Sequence, residues 1–448
     1  MKFINLFLTG VTANVIELLQ DSKVNDNIEH IVILMMENRS FDSIFGRLSL
    51  KGINPDVNGL KGSEGNSIIN GSSAMTFKVQ PIFNLVSKFD PAHSVKQVTL
   101  QIYGNKSATN ENIPTMNGFA QSAIEETSKP DNLGYPIEDA IREVMGYRDE
   151  NTMPVTNALA NEFGIIDNWF ASVPGPTYPN RHFLHCATAK GLTNNKQTPF
   201  FGVDCKTTFR NLEDNQKQWA IYTDNPFTGT STMLYKDMRS LFRVFKPKKF
   251  TKFDEDARNG RLPHYTYIDP NFLKNDNHPP NSLYEGEKLV QSIYESLRNS
   301  PKWNSTLFLI TYDEHGGYYD HVAPPVNIPI PDDSIVTPKA GNFKFDRLGI
   351  RIPTIAISPW IPKGTVFRTN TKNRYLEHSS VSATLKKQFN LKSALTKRDE
   401  WALSFHDIVN HLDLPRLDCP LTMPLKPMQS KTRILNELDF LHYESNVV

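Results

Sequence analysis

The chain is poor in cysteine, with three in 448 residues, too few and too odd a count for a disulfide framework. That leaves its redox compartment open. It also lacks an excess of charge of either sign: 49 Lys and Arg against 48 Asp and Glu leave +1, so no global field draws it to nucleic acid. No nucleic-acid partner is expected. Apolar runs near the ~20 residues of a membrane-crossing helix are missing, so no transmembrane segment is expected. Periodic repeats and low-complexity tracts are absent. So are a Gly-x-Ser-x-Gly elbow, a His-Glu-x-x-His helix and a Gly-x-x-x-x-Gly-Lys phosphate loop, which sets aside three common enzyme designs.

What the chain does have is ionisable residues packed behind apolar strands. The run Leu309-Ile310-Thr311-Tyr312-Asp313-Glu314-His315-Gly316-Gly317-Tyr318-Tyr319-Asp320-His321 follows a segment, Trp303 to Tyr312, that reads as a buried strand. Asp313 and Glu314 then lie at the carboxyl end of that strand, where open α/β sheets bind ligands. Consecutive carboxylates in a low-dielectric cleft demand a positive partner. The glycine pair lets the backbone turn away and leaves room for a substrate. A second apolar run, Ile28 to Met36, stops at Glu37-Asn38-Arg39-Ser40-Phe41-Asp42. Ser40 is placed as an N-cap, and Phe41, Ile44, Phe45 and Leu48 recur at helical spacing.

Glu37, Asn38, Asp313 and Glu314 form an all-oxygen ligand set, suited to one hard divalent ion. Magnesium, calcium or manganese is favoured and zinc is less so. A third element runs from a short strand, Gly164 to Phe170, through a turn dense in proline and glycine to Thr177-Tyr178-Pro179-Asn180-Arg181-His182, with helix expected over 181–190. Thr177 near that helix's N-terminus can serve as a nucleophile activated by a metal, or simply as an N-cap.

Twelve histidines need sorting. His93, in Asp90-Pro91-Ala92-His93, and His278, in Asp276-Asn277-His278-Pro279-Pro280, stand in non-helical stretches with an acidic residue close by, which suits functional rings. His315 and His321 sit in the acidic run, and one of them can orient a ligand carboxylate. His264, ahead of the strand-like Tyr265-Thr266-Tyr267-Ile268-Asp269, is a candidate to face the pocket. His182 and His185 read as packed helix residues. Arg351, entering the strand-like Gly349 to Trp360, is expected to form an internal ion pair.

Four runs taken together are far more specific than any one. Glu37-Asn38-Arg39-Ser40-Phe41-Asp42, Thr177-Tyr178-Pro179-Asn180-Arg181, Asp313-Glu314-His315-Gly316-Gly317-Tyr318-Tyr319-Asp320-His321-Val322 and Gly349-Ile350-Arg351-Ile352-Pro353 resemble the signature blocks of the phosphoesterase family, in order, across residues 28 to 415. That family holds bacterial and plant non-specific phospholipases C and an acid phosphatase. The resemblance implies an alkaline-phosphatase-like α/β core: a central, mostly parallel sheet with helices on both faces. It implies Thr177 as the nucleophile that takes the phosphoryl group, with Glu37, Asn38, Asp313, Glu314 and the Thr177 oxygen as metal ligands. It places His93 and His278 beside the phosphate, one of them protonating the leaving group. Asn180, Arg181, His264, His315, Asp320 and His321 are assigned to substrate binding or to the surroundings of the ligands.

The expected activity is metal-dependent hydrolysis of a phospholipid by a phospholipase C. The alternatives are an acid phosphatase acting on soluble monoesters and an inactive binder of phosphate or lipid head groups. The presence of Thr177 and every acidic ligand weighs against the last. One domain is expected over 28–424, between a weakly signal-like segment at 1–27 and a tail at 425–448. Loops are expected at 52–76, 105–114 and 324–341. The run Phe245 to Phe253 interleaves lysines with aromatics and reads as a solvated loop more readily than as a transient membrane contact. Secretion, a cytoplasmic location and peripheral membrane association all stay open.

Overall fold

The structure, a computed structural model, describes residues 15–425 apart from 71–72, 225–233, 241, 273, 333–342, 370 and 372. Residues 1–14 of the signal-like segment and 426–448 of the tail lie outside the described residues. In chain order the strands are β1 (Val15–Glu17), β2 (His30–Met36), β3 (Gly65–Asn70), β4 (Ser73–Lys78), β5 (Gln80–Pro81), β6 (Gly146–Tyr147) and β7 (Gly164–Ile166). They continue with β8 (Trp219–Thr223), β9 (Lys248–Lys249), β10 (Tyr265–Asp269), β11 (Thr306–Tyr312), β12 (Ile355–Ile357) and β13 (Thr365–Arg368).

Nine of these form one sheet in the order β1-β13-β7-β12-β11-β2-β10-β8-β9. Only β12 runs against its neighbours, so β7, β11, β2 and β10 present their carboxyl ends at the same edge. Every residue of β2, β8, β10 and β11 is buried. Successive strand residues point to opposite faces, so both faces of the sheet are covered, as its runs of Ile, Val, Leu and Phe require. The expected α/β sheet is present. The register His30 to Met36 against Thr306 to Tyr312 brings Glu37 and Asp313 to adjacent strand ends.

Local differences from the sequence reading have physical causes. Val15–Glu17 pairs with β13, so these three residues of the N-terminal segment belong to the sheet. Trp303–Ser305 is a 3-10 turn, and only Ile355–Ile357 of the stretch 349–360 is strand. The helix expected over 181–190 runs instead from Thr177 to Cys186, because Pro179 is tolerated in a first turn. Ala187, in the left-handed region, ends it. Ser40 caps its helix by accepting from Ser43 N–H at 3.2 Å. Ser282 occupies the N-cap position of the helix Leu283–Arg298 but its hydroxyl makes no capping bond.

Cys186 and Cys205 are joined in a disulfide across 19 residues, and Cys419 is free and buried. An odd total excluded a framework but not a single bridge. No helix among the described residues is long and apolar enough to cross a membrane.

Candidate functional site

Three strand ends converge on one guanidinium. Arg181 is buried, with Nε 3.3 Å from Asp313 Oδ2, Nη2 3.1 Å from Glu37 Oε1 and Nη1 3.5 Å from Asp269 Oδ1. Tyr267 Oη and Met35 O accept further bonds from it, and the Phe272 ring lies 4.7 Å below the group. The positive charge that the paired carboxylates demanded is thus partly a side chain. One cation does not balance three carboxylates, however. Burial, then Asp313, pushes the Glu37 carboxyl well above its usual range against the pull of Arg181. Burial likewise raises Asp313 to about 6.

Thr177 begins the helix that carries Arg181. One turn separates them, so both lie on the same helical face. Pro176 is the N-cap, so Thr177 is not the capping residue. Its hydroxyl has no hydrogen-bond partner among the described residues, at a helix end where the dipole favours an anion. Asn180 is spent on the turn before it. Its Nδ2 donates to Gly175 O at 2.9 Å and Pro176 O at 3.2 Å, while Oδ1 accepts from Val173 N–H at 3.0 Å. Its contacts fix where Thr177 is presented.

Asn38 takes a left-handed backbone with φ of 56° and donates its N–H to Asp313 Oδ1 at 3.3 Å. Its side-chain atoms and Glu314 Oε1 are buried without a hydrogen-bond partner. Orphaned buried oxygens beside crowded carboxylates are what a hard cation satisfies, so the donor set of Glu37, Asn38, Asp313 and Glu314 fits a divalent ion. A separate group, Asp42, Asp320 and His321, also brings metal-ligand atoms within 4.8 Å of one another. There Arg351 already lies 3.2 Å from Asp42 Oδ1 and 3.0 Å from Asp320 Oδ1, and His321 Nδ1 is 2.7 Å from Asp42 Oδ2. That group is neutralised as a buried ion-pair network, the role expected of Arg351, and it clamps three of the sequence blocks together.

The histidines separate clearly. His93 donates Nδ1–H to Pro91 O at 2.8 Å and turns Nε2 towards Glu314 Oε1 at 3.8 Å. Burial opposes charge on that ring, but Glu314 and Asp90 outweigh it and raise His93 to about 9. His278 ties Nδ1 to Pro279 O at 2.5 Å and has Nε2 3.9 Å from Asp90 Oδ2. The two rings cross at 88° with centroids 6.4 Å apart, so both histidines flank one space.

His315 is buried, with Nε2 2.8 Å from Gln101 Oε1 and Nδ1 3.5 Å from Glu314 Oε2. Gln101 Nε2 donates to Ala92 O, which fixes the amide's direction and makes His315 Nε2 the donor. His315 is therefore tied through Gln101 to the Ala92 carbonyl beside His93. His264 does not reach the site. It precedes β10 at the opposite end of the sheet, where Nδ1 accepts from Gln218 N–H and the ring meets Phe389. The strand direction that delivers Asp269 to the cluster carries His264 away from it.

The glycine pair also acts differently from the expectation. A Cβ on Gly316 would lie 2.6 Å from Asn38 Cβ, and one on Gly317 would lie 2.7 Å from Ala92 O. The space these glycines leave is filled by the Asn38 and His93 segments rather than by substrate. Sequence reasoning missed Asp269, Asp276 and His378. Asp276 O accepts from Glu37 N–H at 2.8 Å, and His378 Nε2 donates to Asp313 O at 2.6 Å. Asp269 was the legible one, an acid closing a strand as Glu37 follows β2.

A threonine hydroxyl at a helix start, one turn before the guanidinium that ties the carboxylates together, suits displacement at an esterified phosphorus. Such chemistry is that of an ester hydrolase. Residues 28–392 match the Phosphoesterase family, and the chain belongs to it.

Among similar proteins is Non-specific phospholipase C6 of Arabidopsis thaliana, 42% identical over 90% of this chain and 76% of its own. Phospholipase C B of Mycobacterium tuberculosis is 28% identical over 75% of this chain and 69% of its own. A solved structure of a protein in the alkaline phosphatase superfamily from Vibrio parahaemolyticus covers 54% of this chain and 62% of its own. Its identity is 11% and its TM-score 0.32, too loose a likeness to carry a functional argument.

Proposed function

We propose that the protein is a phospholipase C that cleaves a phospholipid between glycerol and phosphate. The carrying observation is Thr177, an unpartnered hydroxyl one helical turn from the Arg181 guanidinium that Glu37 and Asp313 share. The likeness to plant and bacterial phospholipases C supports the substrate class. A divalent ion held by Glu37, Asn38, Asp313, Glu314 and Thr177 Oγ1, with magnesium, calcium or manganese favoured over zinc, would supply Lewis acidity and lower the hydroxyl pKa.

Thr177 gives its hydroxyl proton to water, and its Oγ1 forms the new bond to phosphorus while the bond to the glycerol oxygen breaks. His93 or His278 gives a proton to that departing oxygen, releasing diacylglycerol. His93 suits the acid role because Glu314 and Asp90 keep it charged against burial. Water, giving a proton to the same histidine, then displaces Thr177 Oγ1 from phosphorus; the threonine oxygen regains a proton from solvent and the phosphorylated head group is freed. Arg181 acts through others, holding Glu37 and Asp313 in place.

The test is an assay on phosphatidylcholine vesicles and on a chromogenic phosphate monoester, for wild type and Thr177→Ala. Diacylglycerol release that disappears in the variant supports the reading. Monoester turnover without diacylglycerol release would replace it with the phosphatase, and full activity of Thr177→Ala would remove the nucleophile.

A further inference from the structure

Two segments that are hydrogen-bonded to loops of the site carry exposed apolar side chains that nothing among the described residues covers. Phe200 is 85% exposed, Phe201 73% and Leu133 73%. Soluble surfaces carry such side chains singly, whereas Phe200 and Phe201 stand as an adjoining pair. Each is linked to the site by a short path.

On one side, Asn195 Oδ1 accepts from Tyr178 N–H at 2.8 Å, directly beside Thr177. The chain then reaches Phe200 and Phe201, whose rings lie 5.2 Å apart. Cys205, bridged to Cys186 at the end of the Thr177 helix, ties this loop down at its far end. On the other side, Asp90 and Asn132 exchange hydrogen bonds at 3.1 and 2.9 Å, and Asp90 is the acid near His278. Leu133 follows Asn132 directly. Exposed Lys196 and Lys129 stand four residues before Phe200 and Leu133 respectively.

We infer that Phe200, Phe201 and Leu133 are an interfacial anchor that seats the cleft on a lipid bilayer containing anionic lipid. Aromatic and aliphatic tips flanked by lysines match the apolar and charged layers of such a surface. The lysine run 245–253 is not this contact. Its Lys246, Lys248 and Lys252 are paired with Glu213, Asp256 and Glu255.

This inference rests on the phospholipase reading, and two measurements separate them. Sedimentation with phosphatidylcholine vesicles containing phosphatidylglycerol reads binding, and hydrolysis of soluble p-nitrophenyl phosphorylcholine reads the site. In the combined Phe200→Ser, Phe201→Ser, Leu133→Ser variant, vesicle binding should weaken by about tenfold or more. Turnover of the soluble ester should stay within about twofold of wild type, since none of the three touches the reacting groups. Unchanged vesicle binding in the variant, or no binding by wild type, overturns the anchor. Wild type that binds vesicles but cleaves neither ester overturns the phospholipase reading while leaving the anchor standing.

Discussion

The guanidinium of Arg181 and the carboxylate of Asp313 meet 3.3 Å apart, where neither group has water to fall back on. Removing the cation would strand Asp313, Glu37 and Asp269 together. Arg181→Met should therefore lower folding stability by about 3–5 kcal/mol, read from urea unfolding. Arg181→Lys should recover little, because an ammonium cannot span three acceptors as a fork does. Wild-type stability in Arg181→Met would show that the cluster is balanced by something else.

Thr177 separates activity from stability. Its hydroxyl makes no hydrogen bond among the described residues, and alanine is a good first-turn residue, so Thr177→Ala should unfold within about 0.5 kcal/mol of wild type. Turnover should fall by about 10⁴-fold or more, the scale seen when a nucleophile is removed. Thr177→Ser should keep part of the activity. A tenfold loss in Thr177→Ala, or a matching loss of stability, would move the nucleophile elsewhere.

Which parts were readable from the sequence follows from how each is encoded. Glu37, Asn38, Asp313 and Glu314 were legible because an acid ending a buried apolar run is costly without a purpose, and strand direction then places both pairs at one edge. The Arg351 ion pair was legible for the same reason. Arg181 was named as a contact but not as the hub, because its reach across three strands depends on tertiary placement of a helix. His264 failed because a strand has two ends and residue type does not say which one binds. The Cys186 to Cys205 bridge was hidden by counting cysteines rather than asking which segments meet.

Bound cation should be visible without any assay of turnover. If Glu37, Asn38, Asp313 and Glu314 hold a divalent ion, protein stripped with chelator should gain stability on adding it, about 2.7 kcal/mol at a hundred times Kd. Differential scanning calorimetry across magnesium, calcium, manganese and zinc reads this as a rise in Tm. Asn38→Ala, which deletes an orphaned oxygen, should shrink the rise. No shift with any of the four ions, together with no metal by elemental analysis, would remove the ion from the site.

Acid sensitivity should come from buried neutral imidazoles. Burial alone lowers His182 to about 3, and burial does the same to His378 against the pull of the Asp313 carbonyl. In the unfolded chain both titrate near ~6.5. The folded value lies below the unfolded one, so this stability is fully present above pH ~6.5 and is lost as pH falls towards 3. Each ring removes about 1.4 kcal/mol per pH unit in that window, about 2 kcal/mol by pH 5. Urea midpoints at pH 7.5 and 5 should therefore differ less in His182→Gln than in wild type. Equal differences would mean that His182 does not titrate on unfolding.

Gly316 tests whether the glycine pair serves packing or chain conformation alone. Its φ is +64°, close to the +63° of Gly52, but the surroundings differ. A Cβ at Gly52 meets nothing within 4 Å, whereas at Gly316 it would lie 2.6 Å from both Asn38 Cβ and Asn38 O. Gly52→Ala should therefore report left-handed strain by itself, about 1–2 kcal/mol, with activity unchanged. Gly316→Ala carries the same strain plus about 1–3 kcal/mol of overpacking, relieved only by moving Asn38. Since Asn38 N–H is bonded to Asp313, that movement should also lower kcat. Equal stability losses in the two variants, with full activity in both, would mean that Gly316 is needed only for its backbone angle.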